Sequence, residues 1–288
     1  MDELPGGYWD SDGRLHRGFE LVPLTGRDEE SLAGAIGARP ATFVTEVLSR
    51  CVGRIGAISP VSAQVARELL VGDRQYLLLR LRAATFGERV RAHLICPWPD
   101  CGKPASLDFS IADVPVTSVA ERAPRHTMTV SDNSEPLEIE FRLPNGADQE
   151  AVSGLLGTNE AAALTALLAR CVVRIGSRTP PDEQQIAALS PRARFAIEER
   201  MAALAPRVDQ TMHTACPECH RTFVAPFDIQ HFFFGEFRTD NDTLYREVHY
   251  LAYHYHWSEH EIMGLTRDKR HRYIDVLAGA LEEYDDGG

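Results

Sequence analysis

Two cysteine pairs, Cys96/Cys101 and Cys216/Cys219, occupy matching places in two halves of an internally repeated sequence, so each half carries only half of a metal-ligand set. The first pair reads C-x4-C in "ICPWPDCGK" and the second C-x2-C in "ACPECHR", each with proline after the leading cysteine. Four thiolates at such spacings are the usual shell of tetrahedral zinc, and a shell filled by four protein ligands leaves no open position for chemistry. A structural zinc held by Cys96, Cys101, Cys216 and Cys219 is therefore expected.

The repeat has a fixed offset of 120 residues, at which "ATFVTEVLSRCVGRIGAISP" (41–60) lies over "AAALTALLARCVVRIGSRTP" (161–180) with ten of twenty positions identical. The same offset pairs Gly26 with Gly146, Asp28 with Asp148, His93 with His213 and Cys96 with Cys216. Self-similarity in only two copies predicts a duplicated unit with a pseudo-twofold axis through the cysteine ribbon, not a solenoid. The expected fold class is α+β: an internally duplicated two-lobe domain, a β-hairpin plus helices in each lobe, joined by a shared four-cysteine zinc ribbon and followed by a C-terminal helical module. The expected boundaries are 1–115 and 116–232 for the lobes and 240–288 for the tail.

Closing a loop of about 115 residues costs roughly 4 kcal/mol, whereas structural zinc in finger peptides contributes about 10–16 kcal/mol. The metal term dominates, which favours one shared site over separate pairs, disulfides or a site without metal. His93 and His213, each three residues before a leading cysteine, are alternative ligands on spacing, but four thiolates already complete the shell. Cys51 and Cys171, flanked by aliphatic residues, read as small buried hydrophobes.

A net charge of -12 opposes nucleic-acid binding, which depends on Lys and Arg displacing counterions from phosphates. "MDELPGGYWDSDG" has no basic start followed by an apolar stretch, and no run approaches the roughly 18 apolar residues of a membrane span. A cytoplasmic protein with reduced cysteines is expected.

"GYWDSDGRLHRGFELVPL" predicts a hairpin turning at Asp12/Gly13. Thr25 or Asp28 is placed to cap "DEESLAGAIG", and Pro40 opens a helix over "TFVTEVLSRCVGRIG" with Phe43, Val47, Leu48 and Cys51 on one face. Asp73 is read as the N-cap of "RQYLLLRLRAATFG", and the Asp73-Arg74 pair as that cap plus a surface ion pair. The second half replays this order with helical runs at 148–157, 159–175 and 182–204, the last restarted at Ser190-Pro191. Segments 113–125 and 230–240 read as connectors.

In the tail, Asp242 is placed to cap a first short helix, Ser258 with Glu261 forms a capping box for a second, and Thr266 opens a third. His256 and His260 have the i, i+4 spacing of metal-binding helices, but the cap at Ser258 separates them. Tyr245, Tyr250, Tyr253, Tyr255 and Trp257 are residue types enriched at interfaces, and they divide between helical-core and partner-binding readings. A DNA-reading helix pair is opposed by five Lys/Arg against eleven Asp/Glu in 240–288. No phosphate loop, nucleophile elbow or H-E-x-x-H motif occurs, and no enzyme is expected.

The run "LLVGDRQYLLLRLRAATFGERVRAHLICPWPDCGK", with "GFELVPLTGRDEESLAGA" before it, resembles the T4-type phage baseplate and tail-assembly proteins of contractile tails and phage-derived contractile injection systems. The tail "LYREVHYLAYHYHWSEHEIMGLTRDKRHRYIDVL" is similar to small helical proteins encoded alongside them. The second half departs from the pattern, with "LSPRARF" where the first has its Asp-Arg helix start. The resemblance implies a non-enzymatic subunit or assembly chaperone whose partners are baseplate hub, tail-tube or tape-measure proteins, a helix lying in a groove being the expected contact. The competing expectation is a zinc-ribbon regulatory or nucleic-acid-binding adaptor.

Overall fold

A computed structural model describes residues 2–35, 40–133, 135–209, 211–226 and 228–286. The first half runs β1 (Glu3–Trp9), β2 (Leu15–Leu21), α1 (Gly26–Ala35), α2 (Pro40–Cys51), β3 (Val52–Ile55), α3 (Ala63–Glu68), α4 (Val71–Phe86), β4 (Arg89–Ile95) and β5 (Pro104–Ser110). After a short strand β6 (Val116–Thr117), the order recurs as β7 (His126–Asp132), β8 (Glu135–Phe141), α5 (Gly146–Val152), α6 (Glu160–Cys171), β9 (Val172–Ile175), α7 (Glu183–Ala188) and α8 (Pro191–Leu204). Then come β10 (Arg207–Val208), β11 (Thr211–Ala215), β12 (Thr222–Pro226), α9 (Ile229–Tyr255), α10 (Glu259–Met263) and α11 (Arg267–Asp286).

These elements form small antiparallel sheets and helices, grouped into two compact units: residues 1–20, 41–77 and 115–209 in one, and 21–40, 78–114 and 210–288 in the other. The first unit holds two three-stranded sheets of the same order, β1-β2-β3 and β7-β8-β9. Their registers keep the offset of the sequence: Gly56 N–H donates to Gly18 O at 2.7 Å, and Gly176 N–H to Glu138 O at 2.8 Å. Gly56 and Gly176 both adopt positive φ (57° and 56°), the region glycine enters without steric cost.

The helices expected to run through "CVGRIG" and "CVVRIG" end instead at Cys51 and Cys171. Val52–Ile55 and Val172–Ile175 leave as the third strands, with the buried-to-buried ends of β-branched segments pairing into the sheet. One core joins Ile139 and Phe141 of β8, Leu168 and Cys171 of α6, Val172 of β9, Ile186 of α7, and Ile197 and Met201 of α8. Each large aliphatic or aromatic side chain fully withdrawn from water there contributes about 1.5–3 kcal/mol. Cys51 and Cys171 are buried, as their apolar flanks predict.

In the second unit the antiparallel ribbons β4-β5 and β11-β12 accompany α1 and the C-terminal helices. Thr25 caps α1 reciprocally with Asp28: the Thr25 N–H and hydroxyl donate to Asp28 Oδ2 at 2.9 and 2.6 Å. The segment read as a 230–240 connector is helical, because α9 begins at Ile229, and Asp242 lies inside it, not at a cap. Phe233, fully buried and edge-on to Phe86 at 6.3 Å, supplies the apolar anchor that carries the helix through this stretch. α10 starts with the expected Ser258/Glu261 capping box. Among the described residues, no helix is long and apolar enough to cross a membrane.

Candidate metal centre

Each ribbon ends in a cysteine knuckle. In the first, Cys96 N–H donates to Lys103 O at 2.9 Å, while the N–H groups of Cys101 and Gly102 converge on Trp98 O at 2.9 and 3.1 Å. In the second, Cys216 N–H donates to Arg221 O at 3.0 Å and His220 N–H to Cys216 O at 2.9 Å. The residue after each second cysteine is left-handed, with φ 57° at both Gly102 and His220, and this reversal turns the chain back into its return strand.

The four sulfurs lie within 4.8 Å of one another. Cys96 Sγ is 3.8 Å from Cys219 Sγ, and Cys101 Sγ is 3.8 Å from Cys216 Sγ, so each leading cysteine faces the second cysteine of the other knuckle. All are free thiols. The separation is far beyond a disulfide bond of about 2.05 Å. It matches the edge of a tetrahedron with metal–sulfur bonds of about 2.3 Å, which is about 3.8 Å. Among the described residues, this cluster contains the four cysteines and neither His93 nor His213.

Charged side chains latch the knuckles reciprocally. Lys103, two residues past Cys101, holds Nζ 2.8 Å from Oε2 of Glu218, the residue before Cys219. Arg221, two residues past Cys219, donates to Oδ2 of Asp100, the residue before Cys101, at 2.6 Å, and lies 4.9 Å over the Trp98 ring. Burial pushes the Cys96 thiol well above its ordinary range. The Cys219 thiol is held below it, chiefly by the Arg221 backbone N–H and also by the Arg221 side chain. The thiolate is the ligating form, so a thiol held low gives up its proton to a metal more readily.

The tail aromatics divide. Tyr255 and Trp257 stack at 4.9 Å and both meet Tyr273 edge-on, against the core of Leu244, Val248, Leu251, Ile262 and Met263. Tyr250 is half-buried, while Tyr245 and Tyr253 are exposed, the Tyr245 hydroxyl donating to Glu30.

Asp73 and Arg74 form neither an N-cap nor a surface pair, because both are fully buried and α4 has already begun at Val71. The Asp73 carboxylate accepts the N–H groups of Gly6 and Gly7 in β1 at 2.7 and 2.9 Å. The Arg74 guanidinium donates to Ala66 O and Ala41 O, each at 2.7 Å, and to Thr45 Oγ1 at 3.0 Å. In the second half Ala193 replaces Asp73, but Arg194 keeps the corresponding contact with Thr165 Oγ1 at 3.3 Å.

Sequence reasoning missed a buried ionic cluster in the tail. Arg270, fully buried, donates to Glu29 of α1 at 3.0 and 3.1 Å and to Glu247 of α9 at 2.9 Å. Nothing local distinguishes Arg270 from its neighbours in "TRDKRHR". The available signal was long-range, the spacing of Arg270 from Ser258, which repeats that of Arg74 from Ser62.

No curated protein and no solved structure matches the chain. A family of unknown function (DUF6760) matches residues 237–288. The family described as T4 bacteriophage base plate protein matches residues 14–234. Spanning most of the sequence and including both cysteine knuckles, that match makes the chain a member of the T4 bacteriophage base plate protein family.

Proposed function

We infer from membership of a base plate family that the chain has a structural role in phage tail assembly, in association with other tail components. We propose that it acts as a non-enzymatic hub component or assembly chaperone of a contractile tail-like particle, with a structural zinc joining two duplicated lobes, 1–115 and 116–232, and a helical tail module, 240–288. The observation that carries this reading is the cluster of four thiols, two from each half, with 3.8 Å contacts running between the halves. Zinc is the metal that four thiolates in a tetrahedron suit, and a closed shell holds structure instead of binding substrate. The duplication is supported by the recurrence of element order, strand order and register at the offset of 120.

The proposed partners are hub, tail-tube or tape-measure proteins, with a helix in a groove as the mode of contact. Of Tyr245, Tyr250, Tyr253, Tyr255 and Trp257, the exposure of Tyr245 and Tyr253 on α9 supports a partner-binding role for those two. Zinc content and thermal stability of the wild type, Cys96→Ser and Cys216→Ser test the metal. One zinc per chain, lost with either substitution, is expected. Retention of zinc in both variants would refute the shared site. Co-purification with tail components tests the assembly role, and failure to recover any of them would count against it.

A further inference from the structure

A helix pair with one spacing occurs three times among the described residues, twice as a docking surface. From the N-cap, a buried apolar residue follows at +4, leucine at +7 and arginine at +12: Ser62, Ala66, Leu69, Arg74 in α3/α4, Asp182, Ile186, Leu189, Arg194 in α7/α8, and Ser258, Ile262, Leu265, Arg270 in α10/α11. In each pair the arginine N–H closes the first turn of the second helix, donating to Leu70 O, Ser190 O and Thr266 O at 3.0, 3.1 and 3.0 Å.

Two of these corners hold the N-terminus of another helix in the same way. At α3/α4, Leu69 O accepts the N–H of Gly146, the first residue of α5, at 3.0 Å, and Leu70 bridges to Asn145. At α10/α11, Leu265 O accepts the N–H of Gly26, the first residue of α1, at 3.1 Å, and Thr266 bridges to Thr25. Glycine leaves room at the contact: a Cβ on Gly146 would stand 2.2 Å from Arg74 Nη1, a clash, and one on Gly26 would stand 3.2 Å from Arg270 Nη1, a tight contact. The docked helices bring carboxylates to the corner, with Glu150 on Arg67 at 2.8 Å and Glu29 on Arg270 at 3.0 Å.

At the third corner, among the described residues, no backbone N–H from another helix reaches Leu189 O, and the Ser190 N–H donates to Asp132 Oδ1 at 2.9 Å. Positions +9 and +13 are half-buried in both docked pairs (Val71 and Gln75, Arg267 and His271) but exposed as Pro191 and Phe195 in α7/α8. Phe195 is 62 % exposed, on a turn that also presents the exposed Arg192. We propose that the α7/α8 corner is a docking site for a partner protein's helix, entering through an Asn/Thr-Gly cap, bonding to Leu189 O, covering Phe195 and placing a carboxylate beside Arg192 and Arg194. Two occupied copies supply the template, less the Val71 N–H to Pro144 O bond (3.2 Å) that Pro191 has no N–H to repeat, and the exposed Arg192 beside the half-buried Arg194 supplies the charge complementarity. The corner is independent of the zinc and of the assembly role.

The probe is a synthetic peptide of residues 142–156, titrated into the full chain and followed by methyl and amide NMR. Saturating shifts at Leu189, Ala193 and Ile197 are expected, weakened at least several-fold by Phe195→Ala, which alters an exposed side chain, and absent with a Gly146→Pro peptide that lacks the donor N–H. Three results would overturn the proposal: no shifts at several millimolar peptide, shifts confined to Leu69, Leu70 and Leu77 as the peptide exchanges with the resident helix, or binding indifferent to both substitutions.

Discussion

Arg221 donates to Asp100 at 2.6 Å across 121 residues of chain, and the same two places in the opposite knuckles are filled by Lys103 and Glu218 at 2.8 Å. A contact in which position i meets j and j meets i is what a twofold axis produces within an interface. These pairs are exposed and screened, so they add little stability, but they favour one register between the knuckles. Glu218→Lys should therefore put two ammonium groups together and speed loss of the proposed zinc to a competing chelator. Adding Lys103→Glu should restore retention. Equal loss rates in all three proteins would show that the latch is irrelevant.

The first unit holds two buried aspartates with opposite pH linkage. Burial raises the Asp73 carboxyl to about 6, only partly offset by the Gly6 and Gly7 N–H groups. A raised folded value means its contribution is fully present below the unfolded carboxyl range and is lost as pH rises to about 6. The stability gap between wild type and Asp73→Asn should shrink from pH 4 to pH 7 in denaturant titrations. A gap that widens contradicts the assignment.

Burial also raises the Asp148 carboxyl, but the bidentate Arg142 (2.6 and 2.9 Å), Arg170 (2.9 Å) and the Asn145 N–H outweigh it and leave the value lowered. Its contribution is present above the unfolded carboxyl range and fades as pH falls through the folded value. Asp148→Asn should cost about 3 kcal/mol at pH 7 and progressively less in acid. A cost independent of pH would exclude the ionised pair as its source.

Replacing Arg270 with methionine leaves the buried Glu29 to Arg267 at 3.6 Å and the buried Glu247 to His271 at 2.7 Å, at a cost of roughly 3–5 kcal/mol. Burial already raises the Glu29 carboxyl against the pull of Arg270. Without the guanidinium it rises further, and the variant loses stability as pH climbs through that value. Mild acid should therefore narrow the deficit, and Glu29→Leu with Glu247→Leu should restore most of it. Limited proteolysis reports the same event as faster cleavage between α9 and α11. Unchanged cleavage would mean that the cluster does not hold the tail helices.

Glycine at the start of α5 and α1 tests the docking contact. Gly146→Ala drives a Cβ to 2.2 Å from the buried Arg74 guanidinium and should cost about 1–3 kcal/mol. Gly26→Ala meets Met263 Sδ at 3.1 Å and Arg270 Nη1 at 3.2 Å, so its cost should be smaller. Thermal unfolding ranks the two, and the reverse order would contradict the geometry.

The internal repeat, the hairpins, the Ser190-Pro191 and Ser258 caps and the cluster of four cysteines were legible because each leaves a mark in the sequence: an offset, a turn dipeptide, a capping pair, a knuckle spacing. Periodicity alone did not show where α2 and α6 stop, since "CVGRIG" continues an apolar pattern that helix and strand share over four residues. Sheet pairing through Gly56 and Gly176 decides the ending. Asp73 looked like a cap because short polar residues cap helices. Its role was decided by the amides of Gly6 and Gly7, 67 and 66 residues away in the chain. The same holds for Arg270, which looks like any surface arginine until Glu29, 241 residues away, is folded beside it. Local sequence marks thus determined most of the elements and the cysteine knuckles. Only tertiary packing assigned the buried charges, because the cost of burying a charge is met by partners that sequence proximity does not supply.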